Sequence, residues 1–159
     1  MVKLFSLCCL LILSGCNIVE QDTVEEICSH IPYVASCFDY ETKIIVMHTT
    51  PATNEGTPFY VLIQATDYAD FLTDDYPKIL EKVAAPVKEP SCLAAFCMIP
   101  GLDKTIKIKP SKDKSIAFYV LFTQPKEPWK SIINPVQGFK TVNLHLGEHK
   151  ITLTEVVYP

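Results

Sequence analysis

The chain has 159 residues, a formal net charge of −4 from 14 basic and 18 acidic side chains, and 48% hydrophobic residues. That length supports one domain with a sizeable core. All the basic residues are lysines, scattered among acids, which argues against a phosphate-tracking nucleic-acid surface.

The N-terminus reads Met1-Val2-Lys3, then an apolar run from Leu4 to Leu13, then Ser14-Gly15-Cys16. A charged start, a short apolar core and small residues at a cleavage point make a secretory signal, too short to span a bilayer. Leu13-Ser14-Gly15-Cys16 fits the bacterial lipobox, so residues 1–15 read as a lipoprotein signal peptide and Cys16 as the lipidated first residue of the mature chain. An ordinary cleaved signal or a buried apolar N-terminal helix is the alternative. One acyl chain binds a membrane only marginally, whereas two or three hold firmly, at about 0.8 kcal/mol per buried methylene. Asn17 follows the cysteine, where an Asp favours inner-membrane retention among bacterial lipoproteins. The expected location is therefore the outer membrane, facing the periplasm. Cleavage leaves 144 residues with 13 lysines, 18 acids and a net charge of −5.

Four cysteines remain besides Cys16: Cys28, Cys37, Cys92 and Cys97. An even number in an exported chain points to two disulfides. Three connectivities are open, and the short separations favour Cys28 with Cys37 and Cys92 with Cys97. A four-cysteine zinc site is the alternative, without the Cys-x-x-Cys spacing of structural zinc knuckles.

Residues 16–40 read as lipidated cysteine and acidic tether, with a short helix over Val24 to Ile31, and residues 41–159 as the folded domain. Strands are expected over Lys43 to Thr49, Phe59 to Ala65, Thr105 to Lys109, Ile116 to Thr123, Trp129 to Ile133, Lys140 to Leu146 and Lys150 to Val157. Ile106 and Ile108 alternate with Thr105, Lys107 and Lys109, and Val142, Leu144 and Leu146 with Thr141, Asn143 and His145, as in strands with one wet face. Ile116 to Phe122 is apolar on both faces and should lie centrally. Pro51, Asn54-Glu55-Gly56 and Pro58 mark a loop, Pro110-Ser111 a turn, Gln124 to Pro128 a loop, and Gly147-Glu148 a hairpin. Such strands describe a mainly β, two-sheet sandwich. One or two short helices are expected over residues 68–83, interrupted at Pro77.

The acids Asp67, Asp70, Asp74 and Asp75 lack the ligand alternation of a calcium loop and read as helix-start acids on a solvated face. His145 and His149 flank the hairpin without an evident third ligand, and His30 and His48 are isolated, so no metal site is predicted. There is no Gly-x-Ser-x-Gly elbow, no phosphate-cradling glycine loop and no Cys/His pair outside the disulfide reading. Neither catalysis nor a cofactor is expected. Trp129 reads first as core filler and second as a binding anchor.

In order, Lys43 to His48, the polar loop Ala52-Thr53-Asn54-Glu55-Gly56-Thr57-Pro58, the strand Phe59 to Gln64, Tyr68-Ala69-Asp70-Phe71-Leu72, Ile106 to Pro110, Phe118 to Phe122 and Trp129-Lys130 resemble the type VI secretion system outer-membrane lipoprotein family, also called TssJ or VasD. The resemblance covers about Thr42 to Thr154. It implies a transthyretin-like sandwich with a scaffold role, holding the periplasmic end of the inner-membrane subunit TssM. A different lipid-anchored binding or adhesion module of the envelope is the alternative. In that family the loop between the first two strands makes the partner contact, which by position gives Thr50, Pro51, Ala52, Thr53, Asn54, Glu55, Gly56, Thr57 and Pro58. A plain strand connection is the competing reading, although prolines at both ends would stiffen the loop and lower the ordering cost of binding. The chain departs from the family in an apparent insertion from Ala84 to Pro100, in the Cys28 to Cys37 extension and in having no Arg.

Overall fold

A computed structural model describes residues 41–84, 90–111, 113–134 and 138–159. The signal, Cys16, the tether with its expected helix, Cys28, His30 and Cys37 lie outside the described residues. No helix among the described residues is long and apolar enough to cross a membrane.

The alternating stretches become strands, as a period of two requires when one face is buried. They are β1 (Lys43–His48), β2 (Phe59–Thr66), β3 (Cys92–Met98), β4 (Lys104–Ile108), β5 (Ser115–Leu121), β6 (Lys130–Ile133), β7 (Thr141–Leu146) and β8 (Ile151–Val157). Two four-stranded sheets result, in the orders β4-β1-β7-β8 and β3-β2-β5-β6. Every neighbouring pair is antiparallel except β1 and β7, which run parallel with Ile45 opposite Val142 and Met47 opposite Leu144. These four side chains are fully buried, and the facing sheet contributes Val61, Ile63, Ile116, Phe118 and Val120 to the same core. At one end of the core Phe59 and Phe122 stack with ring centroids 5.4 Å apart.

Strand β5 is buried along both faces, from Ile116 to Leu121. Its second face is covered by two short helices, α1 (Tyr68–Thr73) and α2 (Tyr76–Ala84), through Phe71 and Ile79. Pro77 does not interrupt a helix: it sits in the first turn of α2, where a missing N–H costs nothing. The break falls at Asp74-Asp75, and Asp75 Oδ1 accepts the Lys78 N–H at 2.9 Å, an N-cap that starts the second helix.

Asp74 corrects the solvated-face reading of the acids. It is buried, accepts the Tyr119 hydroxyl at 2.5 Å and pairs with Lys78 Nζ at 2.8 Å. Burial alone would raise its carboxyl pKa, but the Lys78 and Tyr119 hydrogen bonds and the Lys82 charge outweigh burial and hold it below the ordinary value. Lys130 donates to the carbonyls of Phe71 (2.7 Å) and Asp74 (2.6 Å), closing the end of α1. Trp129 is buried in the same layer, edge-on to Tyr76 at 5.0 Å.

One further expectation, the Cys92–Cys97 disulfide, is corrected. The stretch Ala84 to Pro100, read from the sequence as an insertion relative to the family, contains β3, an edge strand paired with β2 from Phe59 opposite Met98 to Gln64 opposite Cys92. Its apolar sequence does not alternate, and a bulge at Ile63/Gln64 adds a residue. Cys92 and Cys97 therefore lie opposite residues four apart on β2, about 13 Å along the strand at roughly 3.3 Å per residue. A disulfide needs Cα atoms within about 7 Å, so these two cysteines do not bond to each other. Both side chains are exposed.

Candidate functional site

The loop between β1 and β2 is held by its own polar side chains. Thr53 Oγ1 donates to the Leu146 carbonyl at 2.9 Å and accepts the Thr50 N–H at 2.9 Å. The Asn54 N–H donates to the Glu148 carbonyl (2.8 Å), Oδ1 accepts the Thr123 N–H (2.7 Å), and Nδ2 donates to the Thr57 carbonyl (2.8 Å) and Thr123 Oγ1 (3.1 Å). One asparagine thus ties together β2's entry, the end of β5 and the β7–β8 hairpin.

This clamp sets an unusual backbone. Asn54 (φ 49°), Glu55 (φ 55°) and Gly56 (φ 73°) are consecutive residues in the left-handed region. Gly enters it freely and Asn with little penalty, whereas an ordinary L-residue such as Glu55 pays about 1–2 kcal/mol. Such strain persists only where the surroundings over-determine the conformation, and it concentrates at ligand clamps and active sites.

The structure divides the nine predicted docking residues. Thr50, Pro51, Ala52, Glu55, Gly56, Thr57 and Pro58 are exposed, whereas Thr53 and Asn54 are 0% and 1% accessible. These two shape the loop from within and offer no contact surface. Loop polarity in the sequence does not distinguish an outward side chain from one that satisfies buried backbone groups.

Neighbouring turns complete this end of the sandwich. Thr49 Oγ1 donates to the Leu102 carbonyl (3.1 Å) and Thr49 N–H to Asp103 Oδ1 (3.0 Å), joining β1 to the β3–β4 turn. His48 Nδ1 lies 2.9 Å from Asp103 Oδ2. The Thr49 N–H first and then His48 hold the Asp103 carboxyl below its usual range. His48 is therefore not isolated: parallel pairing puts it opposite His145, with rings stacked at 4.6 Å. The hairpin does not join His145 to His149. His149 instead points its Nε2 to Glu55, 3.5 Å away, and its Nδ1 is buried without a hydrogen bond. Among the described residues no group of three or more His, Cys, Asp or Glu side chains is disposed to hold a metal ion. Sequence reasoning missed the β3–β4 turn as part of this surface; Pro100-Gly101 was its available signal.

The arrangement offers a solvent-facing shape made from three chain segments, held together by hydrogen bonds between them. Comparison with known proteins fits that description. A family model described as "IglE, N-terminal domain" matches residues 60–144, more than half of the chain. No curated protein matches the sequence. Among solved structures, the type VI secretion lipoprotein TssJ1 from Pseudomonas aeruginosa superposes with a TM-score of 0.58 at 15% identity, over 72% of this chain and 95% of that one. A chain in the structure of the type VI TssM C-terminal domain from EAEC gives 0.56 at 15% identity, over 70% and 96%. Serratia marcescens Lip, a membrane-bound type VI secretion component, gives 0.51 at 16% identity, over 73% and 96%. At these identities the likeness is one of fold: the two sheets and the helical layer are those of the TssJ lipoproteins.

Proposed function

Since the chain belongs to the family of IglE N-terminal domains, we propose that it is a lipid-anchored scaffold of a type VI secretion-type envelope complex. In this reading Cys16 carries the acyl chains, the outer membrane holds them, and the domain faces the periplasm. Its loop Thr50–Pro58 docks the periplasmic C-terminal domain of a TssM-like inner-membrane subunit. The anchor and the loop then join two membranes through one small protein, a role that needs shape and attachment but no chemistry.

The observation that carries the reading is the clamped left-handed loop. Three successive left-handed residues, one of them Glu55, are held by buried Thr53 and Asn54 while seven neighbours remain exposed. A loop held in one conformation before binding loses little entropy on binding. The TssJ-like fold supports the same reading, as does the superposition on a chain of a solved structure described as the type VI TssM C-terminal domain from EAEC.

The test is a photo-crosslinking residue at Ala52, introduced in the native cell, with exposed Lys107, paired with Ile44 at the far end of β1, as control. The expected result is capture, from Ala52 alone, of an inner-membrane protein with a periplasmic C-terminal domain. Capture of a porin or a peptidoglycan-associated protein, or of nothing, overturns the TssM-like assignment. Detection of acyl chains on the peptide that begins at Cys16 tests the anchor independently.

A further inference from the structure

The exposed part of the loop has no large apolar side chain: it offers Thr50, Pro51, Ala52, Glu55, Gly56, Thr57 and Pro58. Protein interfaces centre on a desolvated apolar core surrounded by a polar rim, and a few anchor side chains carry most of the affinity. The loop resembles a rim, which leaves the anchor to be found nearby.

The β3–β4 turn supplies one. Ile99 and Leu102 are 56% and 60% exposed, among the most open large aliphatic side chains of the domain. They are fixed to the loop. Gly101, at φ 81°, sits so close to Pro51 that an added Cβ would lie 3.5 Å from Pro51 Cγ, and Thr49 is bonded to both the Leu102 carbonyl and Asp103. The turn and the loop therefore present one surface.

We propose that Ile99 and Leu102 form the apolar centre of the docking surface, and that their occupant is an apolar segment of the same protein partner that meets the loop. The inference rests on the docking reading of Thr50–Pro58. A protein suits this end better than a lipid surface. The mature chain has a net charge of −5, and Glu55 and Asp103 stand beside the patch, so anionic headgroups would be met with repulsion.

Photo-crosslinking residues at Ile99 and Leu102, in separate strains, are compared with the one at Ala52. All three positions are expected to capture the same protein. The double variant Ile99→Ser/Leu102→Ser is expected to lower capture from Ala52 at least tenfold, with its thermal melting and circular dichroism unchanged. Capture from Ala52 alone, undiminished by the double variant, overturns the apolar centre and leaves the loop reading standing. Crosslinking of positions 99 and 102 to lipid overturns the choice of occupant. Silence from all three positions overturns the docking reading and the inference together.

Discussion

Strand β2 is entered and left by two excursions of opposite kind. Before it, the loop Thr50–Pro58 puts Thr53 and Asn54 inward, bonded to other segments, and leaves its other seven residues outward. After it, α1 and α2 put Phe71 and Ile79 inward and close over β5 with the knot of Asp74, Tyr119, Lys78 and Lys130. Both are rigid, for different reasons. The helices are held because they fill a face of the sheet, so removing their contacts costs stability. The loop is held by hydrogen bonds against its own backbone preference, so its surface residues are free to differ without unfolding anything.

The largest effect is expected at the helical knot. Asp74→Ala leaves the buried Tyr119 hydroxyl without its carboxylate acceptor and should cost about 3 kcal/mol, as for a lost buried hydrogen bond to a charged group; half-exposed Lys78 returns to water at little cost. Urea unfolding measures it. If Asp74→Ala proves milder than any loop variant, the division of labour is wrong.

Asn54→Ala should come next, at about 2 kcal/mol. It removes the acceptor of the Thr123 N–H, at about 1 kcal/mol for a lost hydrogen bond, and forces alanine into the left-handed region. Asn54→Gly keeps the same loss of bonds without the strain, so about 1 kcal/mol should return. Equal costs for the two variants would show that strain is absent and the bonds carry everything.

Acid separates the regions a third way. The folded Asp74 carboxyl is held below its unfolded value of about 3.9, so its contribution is complete above that pH and fades as pH falls through the lowered folded value. The part of the stability that Asp74 supplies should therefore be flat from pH 7 down to about 4 and decline below. Asp74→Asn, which still accepts from Tyr119, should lose about 1–2 kcal/mol at pH 7 and show a shallower acid limb. An unchanged acid limb would assign acid sensitivity elsewhere.

The smallest change is the most informative about the loop. Glu55→Gly should stabilise the domain by up to about 1 kcal/mol, since glycine accepts φ 55° without penalty. Capture of the partner from Ala52 should nevertheless fall, because the loop becomes free to leave its shape. A variant that is both more stable and fully competent would mean that the strain serves no docking purpose.

Much of this was legible in the residues. Alternation in Thr105 to Lys109 and Lys140 to Leu146 marked β4 and β7, and the doubly apolar Ile116 to Phe122 foretold a strand covered on both sides. Strand β3 was not legible. Cys92-Leu93-Ala94-Ala95-Phe96-Cys97-Met98 has no period of two, because its bulge shifts the faces within the strand. The site was half legible: Asn54-Glu55-Gly56 with flanking prolines announced a special turn, but whether Asn54 points in or out depends on Thr123 and Glu148, far along the chain. The His48–His145 stack follows from parallel register, which no local pattern encodes.

That parallel register has a temporal consequence. The central place of β1 in its sheet is completed by β7, whose first residue stands 97 positions after Ile44 at their paired positions. The first of the described strands thus waits for a stretch synthesised much later. Contacts so distant along the chain form slowly, because their loop-closure entropy must be met before they reward it. A chain emerging N-terminus first can assemble β2, β3 and β5 from near neighbours, but its first sheet stays open until Thr141–Leu146 arrives. Folding of that sheet is therefore a step that follows delivery of β7.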